Sequence, residues 1–331
     1  MNRLARIVES FSGKRIVVIG DAIADQFIYG EISRVSREAP VFILRHEHTE
    51  TTPGGAGNCA ANLAALGARV DLISTLGSDE PGKILYTKLR EAGVGCDGVS
   101  VTSERRTPTK VRVLAGQIHS TRQQVIRIDY DSEPDLSAEL QEILSTDIAR
   151  ALTGADGVII SDYNYGVADP KITEVVRKAV GPGVPVLVDS RFRLSSFSDF
   201  TSATPNEDEV DQLLGIKHTD PLALESAAEE LRQRLGYKAL LVTRGGHGMT
   251  LIEAGNAPLR IDAVGSSQPL DVTGAGDTVI ATYTLALASA ASFADAARLA
   301  NLAGGLVVMK RGTATVGAGE LVSLITEVGS E

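Results

Sequence analysis

Apolar runs of strand length alternate with helical patterns along most of the chain. Nearly unbroken apolar runs fall at 15–20, 70–76, 157–161, 184–189, 239–243 and 249–253. Between and after them, apolar residues recur at helical spacing over 55–66, 82–92, 136–152, 170–180, 206–214, 221–235, 274–289 and 293–309. A strand with no polar alternation is buried on both faces, and strands separated by helices pair in parallel. The pattern therefore predicts an α/β fold, a mostly parallel central sheet with helices on both faces.

Two stretches break this rhythm. One holds the strand-like segments 26–32 and 41–45, the other 110–114 and 124–129, with no helix inside either pair. Four such strands make a small separate β-sheet lid, contributed by about 24–48 and 108–130. Alternation of Val111 and Val113 with Lys110 and Arg112 gives that sheet one apolar and one polar face. A small sheet with an apolar face needs cover, so a homodimer formed through the lid is expected; hairpins lying flat on the core fit the same pattern. No linker divides the chain, so residues 1–331 are expected to form one α/β domain plus lid.

Composition narrows the partners. The chain has 331 residues, is 43% hydrophobic and carries a net charge of -10 with only 4% aromatics. With no basic block, neither a nucleic-acid surface nor a membrane surface is expected. The N-terminus lacks a long apolar segment, and the greasiest run, 279–291, is too short to span a bilayer and reads as a buried helix. The two cysteines, Cys59 and Cys96, have no metal-type spacing. A cytoplasmic enzyme is the expectation.

The most informative local pattern is Asp-Val-Thr-Gly-Ala-Gly-Asp at 271–277, directly before a long helix of small residues. Backbone N–H groups at Gly274, Ala275 and Gly276 would open that helix, and a helix N-terminus with glycines in it is an anion site. Asp277 then stands one residue beyond, where a general base belongs if a hydroxyl attacks a phosphoryl group. An ordinary helix start capped by Thr273 or Asp271 fits the same residues. Four further patterns accompany it. Asp21 and Asp25 follow the first strand, at the crevice end of an open α/β sheet. Gly54, Gly55 and Asn58 open a helix, although the dinucleotide fingerprint G-x-G-x-x-G is not met. Asn206 and Glu209 lie one turn apart; they suit either a carboxylate orienting Mg²⁺ waters or a capping box. Thr243 and the glycines of Thr-Arg-Gly-Gly-His-Gly, 243–248, would make a tight hairpin or a phosphate cradle.

In their order along the chain these patterns resemble the PfkB/ribokinase family of sugar kinases, and within it the kinases of heptose 7-phosphate. The stretches that carry the resemblance are GDAIADQFIYGEISRVSREAPV (20–41), PGGAGNCAANLAALGA (53–68), TPTKVRVL (107–114), QQVIRIDYD (123–131), SDYNYGV (161–167), TPNEDE (204–209), LLVTRGGHGMTL (240–251) and DVTGAGDTVIA (271–281). They span nearly the whole chain. The resemblance implies a three-layer ribokinase-like fold with a β lid, a sugar phosphate and ATP as substrates, Mg²⁺, and transfer to the 1-hydroxyl of heptose 7-phosphate. It implies Asp277 as base and Gly274, Ala275 and Gly276 as anion hole. Asp21, Asp25, Gly54, Gly55 and Asn58 would touch sugar. Asn206 and Glu209 would serve the Mg²⁺–phosphate region, Thr243, Gly245 and Gly248 the nucleotide, and Asn301 the adenine. Asp271 and Thr273 match a K⁺ site. In bifunctional members a nucleotidyltransferase domain follows; no H-x-G-H comes after Val316, so a kinase without that domain is expected.

The chain departs from those kinases at two strand ends. Tyr165 stands where S-D-Y-x-K-G has lysine, and Ser190-Arg191 follow Asp189 where D-P-K-G is usual. Arg191 or Arg193 would replace one lost cation. The lid is longer by residues 116–122. Candidate partners for a distal sugar phosphate are Arg34, Lys110, Arg112 and Arg127.

Overall fold

The computed structural model describes residues 2–116, 122–133, 135–265 and 269–328. Most of the lid insertion read at 116–122 therefore lies outside the described residues.

Nine strands form the main sheet. They are β1 (Arg15–Gly20), β4 (Arg69–Gly77), β5 (Gly95–Thr102), β8 (Gly157–Asp162), β9 (Val186–Ser190), β10 (Ser202–Ala203), β11 (Ala239–Thr243), β12 (Met249–Glu253) and β13 (Leu259–Ile261). Their spatial order is β13-β12-β11-β10-β9-β8-β1-β4-β5. From β5 across to β11 every pairing is parallel; β12 and β13 add an antiparallel edge. The sheet grows one way from β1 to β4 and the other way from β1 to β8, which opens a crevice beyond the C-terminal ends of those strands. Asp21, Asp162 and Asp189 all lie at that edge.

Both faces are covered. In β1, Ile16 and Val18 pack with α2 (Ala56–Ala65), α8 (Ala275–Ala288) and α9 (Phe293–Val307). Val17 and Ile19 face α4 (Ala138–Ala151), α5 (Pro170–Ala179) and α7 (Pro221–Leu235). The period-two alternation of a strand sends neighbours to opposite cores, so a strand inside two helical layers is apolar throughout. Helix α8 is buried from Asp277 to Ala286, which accounts for its small apolar residues all round. No helix among the described residues is long and apolar enough to cross a membrane.

The second sheet has four strands in the order β3-β2-β6-β7: β2 (Ala22–Val35), β3 (Phe42–Gly55), β6 (Thr109–Gly116) and β7 (Gln123–Tyr130). β2 and β3 are longer than their apolar segments. Their inner halves, with Pro53 and the Gly-Gly pair, carry little strand signal and are set by pairing with each other from Ala22↔Gly55 outward. β2 is buried at its inner end and exposed at its tip. β7 is exposed throughout, leaving Val125, Ile126, Ile128 and Tyr130 open on the described surface.

Other elements escaped the pattern. β5 carries Gly, Asp, Ser and Thr at the sheet edge, and β10 and β13 are two and three residues long. Short helices α1 (Arg3–Glu9), α3 (Glu80–Glu91), α6 (Glu207–Leu214) and α10 (Ala318–Val328) complete the layers. Of these, α3 and α6 follow the sequence pattern; α1 and α10 lie outside it.

Candidate active site

Helix α8 starts at the crevice. Gly274 caps it in the left-handed region, φ 76°, where no side-chain cap bond is made. A Cβ at Gly274 would lie 2.4 Å from Nδ2 of Asn58, so both the backbone angle and the space demand glycine here. The three expected N–H donors are not equivalent. Ala275 N–H closes a turn on the Val272 carbonyl at 3.2 Å, while Gly274 and Gly276 have no such partner among the described residues. The anion hole is therefore narrower than the sequence suggested.

On one side of this turn lies a cleft of about 420 Å³. It brings together Thr243, Gly245, Gly248, Ala275, Gly276 and Asn301, residues from three separate segments. Thr243 is fixed by its N–H bond to Pro205 O at 3.0 Å, and Asn301 donates to Asp262 O at 2.8 Å. The remaining walls, among them Met249, Val264, Val279 and Val308, are apolar and were not singled out from sequence, because aliphatic residues there look like any core position. An apolar slot with a few backbone donors at one end suits a purine followed by phosphates.

On the other side stands Asp277, 3% exposed. Its Oδ2 accepts from Asn58 Nδ2 at 2.8 Å and its Oδ1 from the Tyr163 hydroxyl at 2.9 Å. Burial pushes its pKa up to about 7, against the pull of those two donors. Asn58 is held in turn by Asn62, whose Nδ2 donates to Asn58 Oδ1 at 3.1 Å. Asn62 Oδ1 accepts from Thr278 Oγ1 at 3.1 Å and from Val316 N at 3.3 Å. Neither Tyr163 nor Asn62 was singled out from sequence. The trace of Asn62 was there: a second asparagine one turn after Asn58 in an otherwise apolar helix.

The expected sugar contacts divide. Asp21 lies beneath the site, 2% exposed, with its carboxylate filled by the N–H groups of Tyr163, Tyr165 and Val167 at 2.9, 3.0 and 3.0 Å. In this structure it anchors a loop through both carboxylate oxygens. Asn58 is likewise engaged by protein groups, so its principal partner is the base. Asp25 pairs with Arg112, both nearly buried, and burial raises its pKa in spite of that cation. A Cβ at Gly54 would strike Asp25 Oδ2 at 2.3 Å; Gly55 sits at φ 55° against the Asp21 carbonyl. Gly54 thus admits the Asp25 carboxylate and Gly55 the Asp21 backbone carbonyl.

The lid cations also divide. Lys110, opposite Asp25 in register, is partly buried, which lowers its pKa, and its Nζ lies 5.1 Å above the Tyr163 ring. Arg112 is committed to Asp25, and Arg127 grips Asp129 through two bonds of 2.8 and 2.7 Å. Arg34 is exposed near the tip of β2, nine residues beyond Asp25, roughly 30 Å along an extended strand. The expectation that it meets the same sugar as Asp25 fails within one chain, because the hairpin carries it away. His48, a lid residue, stacks on Tyr29 at 4.4 Å.

Arg193 does not replace a missing lysine. Its guanidinium is taken by Asp162, with Nη2–Oδ1 at 2.5 Å, and by Ala168 O at 3.0 Å. Arg191 is exposed, and its charge offsets part of the burial that raises the pKa of Asp189 and of Glu209. The Tyr165 hydroxyl reaches Asp131 at 2.6 Å instead of presenting a cation.

Asn206 and Glu209 form a reciprocal capping box, with bonds of 2.8 and 2.9 Å. Burial raises the pKa of Glu209, and burial, followed by Glu209 and Asp277, raises that of Asp189 well above the carboxylate range. The Asp189 side chain makes no hydrogen bond or ion pair among the described residues. No group of three His, Cys, Asp or Glu among the described residues could hold a metal alone. Two crowded carboxylates whose burial only Arg191 offsets fit a divalent ion carried mainly by phosphates and water. Asp271 spends its two oxygens on Thr273 N and Gly312 N, both at 2.9 Å, so its carboxylate ties the two loops together.

Comparison with known proteins agrees with this geometry. The pattern of the pfkB family carbohydrate kinases matches residues 14–318. A D-beta-D-heptose 7-phosphate kinase of Bordetella bronchiseptica is 41% identical over 315 residues, 95% of this chain and 96% of its own. The bifunctional protein HldE of Desulfatibacillum aliphaticivorans is 39% identical over 95% of this chain, which spans 63% of that longer protein. Among solved structures, Escherichia coli phosphofructokinase-2 with potassium superposes with a TM-score of 0.79 at 20% identity, covering 96% of this chain and 99% of that one. Arabidopsis thaliana ribokinase complexed with ribose and ATP gives 0.73 at 23%, covering 95% and 99%. These two likenesses show the ribokinase-like fold, and the family match over most of the sequence shows the rest: the chain belongs to the pfkB family of carbohydrate kinases.

Proposed function

We propose that this kinase transfers the γ-phosphoryl group of ATP to the 1-hydroxyl of D-glycero-D-manno-heptose 7-phosphate, giving the 1,7-bisphosphate. The observation that carries the substrate is the 41% identity, along nearly the full length of both chains, to a heptose 7-phosphate kinase. The geometry supports the reaction class independently. A buried carboxylate, Asp277, stands at the end of a helix whose free N–H groups open onto an apolar cleft.

In this reading the nucleotide lies in the cleft, with its phosphates toward Gly274 and Gly276. Asp277 accepts the hydroxyl proton as the new O–P bond forms, while the bond between the β- and γ-phosphates breaks and ADP leaves with its electron pair. The glycine N–H groups meet the negative charge of the moving group. Glu209 and Asp189 would hold the water shell of Mg²⁺, which supplies charge neutralisation at the phosphate oxygens. A K⁺ ion beside the Asp271–Thr273 loop belongs to the same reading, as do a cytoplasmic location and a homodimer. Lys110 and Arg191 are the cations best placed for the distal sugar phosphate.

The exposed Val125, Ile126 and Ile128 of β7, with Phe42 of β3, support dimerisation through the lid. Ile126→Lys is expected to shift the protein to monomer in analytical ultracentrifugation; an unchanged sedimentation coefficient would place the interface elsewhere.

The substrate is tested by ADP release across phosphorylated and free C5–C7 sugars, with ³¹P NMR of the product. Heptose 7-phosphate is expected to give the highest kcat/KM and a new anomeric phosphate. A free sugar or nucleoside that outcompetes it would overturn the heptose assignment and leave the kinase class standing.

A further inference from the structure

Tyr163 has no part in the reaction as written, yet it touches the base. It is the first residue after β8, and its phenol donates to Oδ1 of Asp277 while Asn58 donates to Oδ2. Burial, with Asp277 next to it, pushes the phenol pKa well above its ordinary value. At neutral pH the phenol is therefore the donor and the carboxylate the acceptor. Two oxygens offer about four acceptor positions, so two remain for an incoming hydroxyl.

The loop that carries the ring, and the ring itself, are held from three directions. Asp21 pins the backbone of residues 163, 165 and 167 from below. Arg105 donates to Tyr165 O at 2.7 Å. Lys110 of lid strand β6 lies over the ring face. A buried carboxylate and an arginine thus fix the 163–167 backbone, and a lid lysine covers the ring whose phenol ends on the base.

We propose that Tyr163 is a positioning residue for phosphoryl transfer: with Asn58 it clamps the Asp277 carboxylate as an anion in one orientation, and the 163–167 loop links that orientation to Asp21 and the lid. The proposal rests on Asp277 being the base of the kinase reaction. The charged and titratable groups facing Asp277 are Asp25 of β2, Lys110 of β6, Asp189 of β9, Cys59 of α2 and Tyr163 itself. Burial favours the neutral forms of Cys59 and Asp189. Asp25 and Lys110 act on Asp277 in opposite senses. Loss of the phenol removes a hydrogen bond made to the ionised form, so the titration of Asp277 must move upward.

The test reads that titration without substrate. The carboxyl infrared band of Asp277 is isolated by difference against Asp277→Asn and followed with pH in the wild type, in Tyr163→Phe, and with 3,5-difluorotyrosine in place of Tyr163. The wild-type midpoint is expected near 7. Tyr163→Phe is expected to raise it, and the more acidic phenol, a stronger donor, to lower it. The acid limb of the kcat profile should follow in the same directions, with about a fivefold loss of turnover at pH 7 for a first unit of upward shift and KM for ATP within about twofold. An unmoved midpoint overturns the proposal, and so does a moved midpoint with an unmoved pH–rate profile. If Tyr163→Phe does not fold, the fluorinated enzyme decides alone. If the acceptor proves to be another sugar, the infrared result stands.

Discussion

The two sides of the α8 N-terminus are built on different principles. The nucleotide side is a broad apolar slot whose polar groups are largely backbone N–H groups and glycines. The acceptor side is a buried lattice of side chains, Asp277, Asn58, Asn62, Tyr163, Asp21, Asp25 and Arg112, in which almost every polar atom already has a partner. One side recognises a ligand by shape and dipole and tolerates variation in its walls. The other depends on a network in which removing one member leaves another buried and unpaired, at a cost of about 1–3 kcal/mol for each neutral group.

The sharpest way to break the contrast is Asp277→Asn. Turnover should fall by roughly 10²–10⁴ while ATP affinity stays near wild type, because the change touches only the acceptor side. Steady-state kinetics with ATP titration calorimetry checks this; full activity would remove Asp277 from the base role. Gly274→Ala comes next. It forces a Cβ onto the Asn58 amide at φ 76°, and strain of about 1–2 kcal/mol in the left-handed region adds to the displaced amide. A tenfold or greater loss of kcat is expected, on the order of what a 1.4 kcal/mol change gives.

The pH dependence of stability sharpens the comparison further. The pKa of Asp277 is raised on folding, so the native state binds the extra proton between about 4 and 7, and this group's contribution to stability declines as pH rises through that window. Asp277→Asn should therefore gain more in Tm over wild type at pH 8 than at pH 5. An equal gain at both pH values would mean that the carboxylate is not desolvated. The smallest effect is expected for Glu209→Gln, on the nucleotide side. It keeps most of the α6 cap and weakens only the Mg²⁺ shell, so the KM for MgATP should rise about two- to tenfold with kcat nearly preserved.

The same division explains what could be read from sequence. Apolar periodicity located the central strands and most of the helices, and both cores follow from the alternation of Ile16, Val17, Val18 and Ile19. Gly274, Gly245 and Gly248 were legible because glycine announces a backbone requirement at its own position. The acceptor lattice was legible only in part. Asp21 looked like a ligand because a carboxylate at a strand end is ambiguous until its three N–H partners, more than 140 residues away, are known. Arg193 and Arg34 misled for related reasons: one is consumed by Asp162, and the other is carried off along a hairpin whose length the pattern understated.

Asn62 has a consequence for the life of the chain. Its side-chain oxygen gathers Thr278 and the Val316 amide onto the helix that carries Asn58. A nascent polypeptide reaches this arrangement only after Val316 has left the ribosome. Until then the asparagine pair behind the base lacks one of its ties, and the acceptor lattice is incomplete.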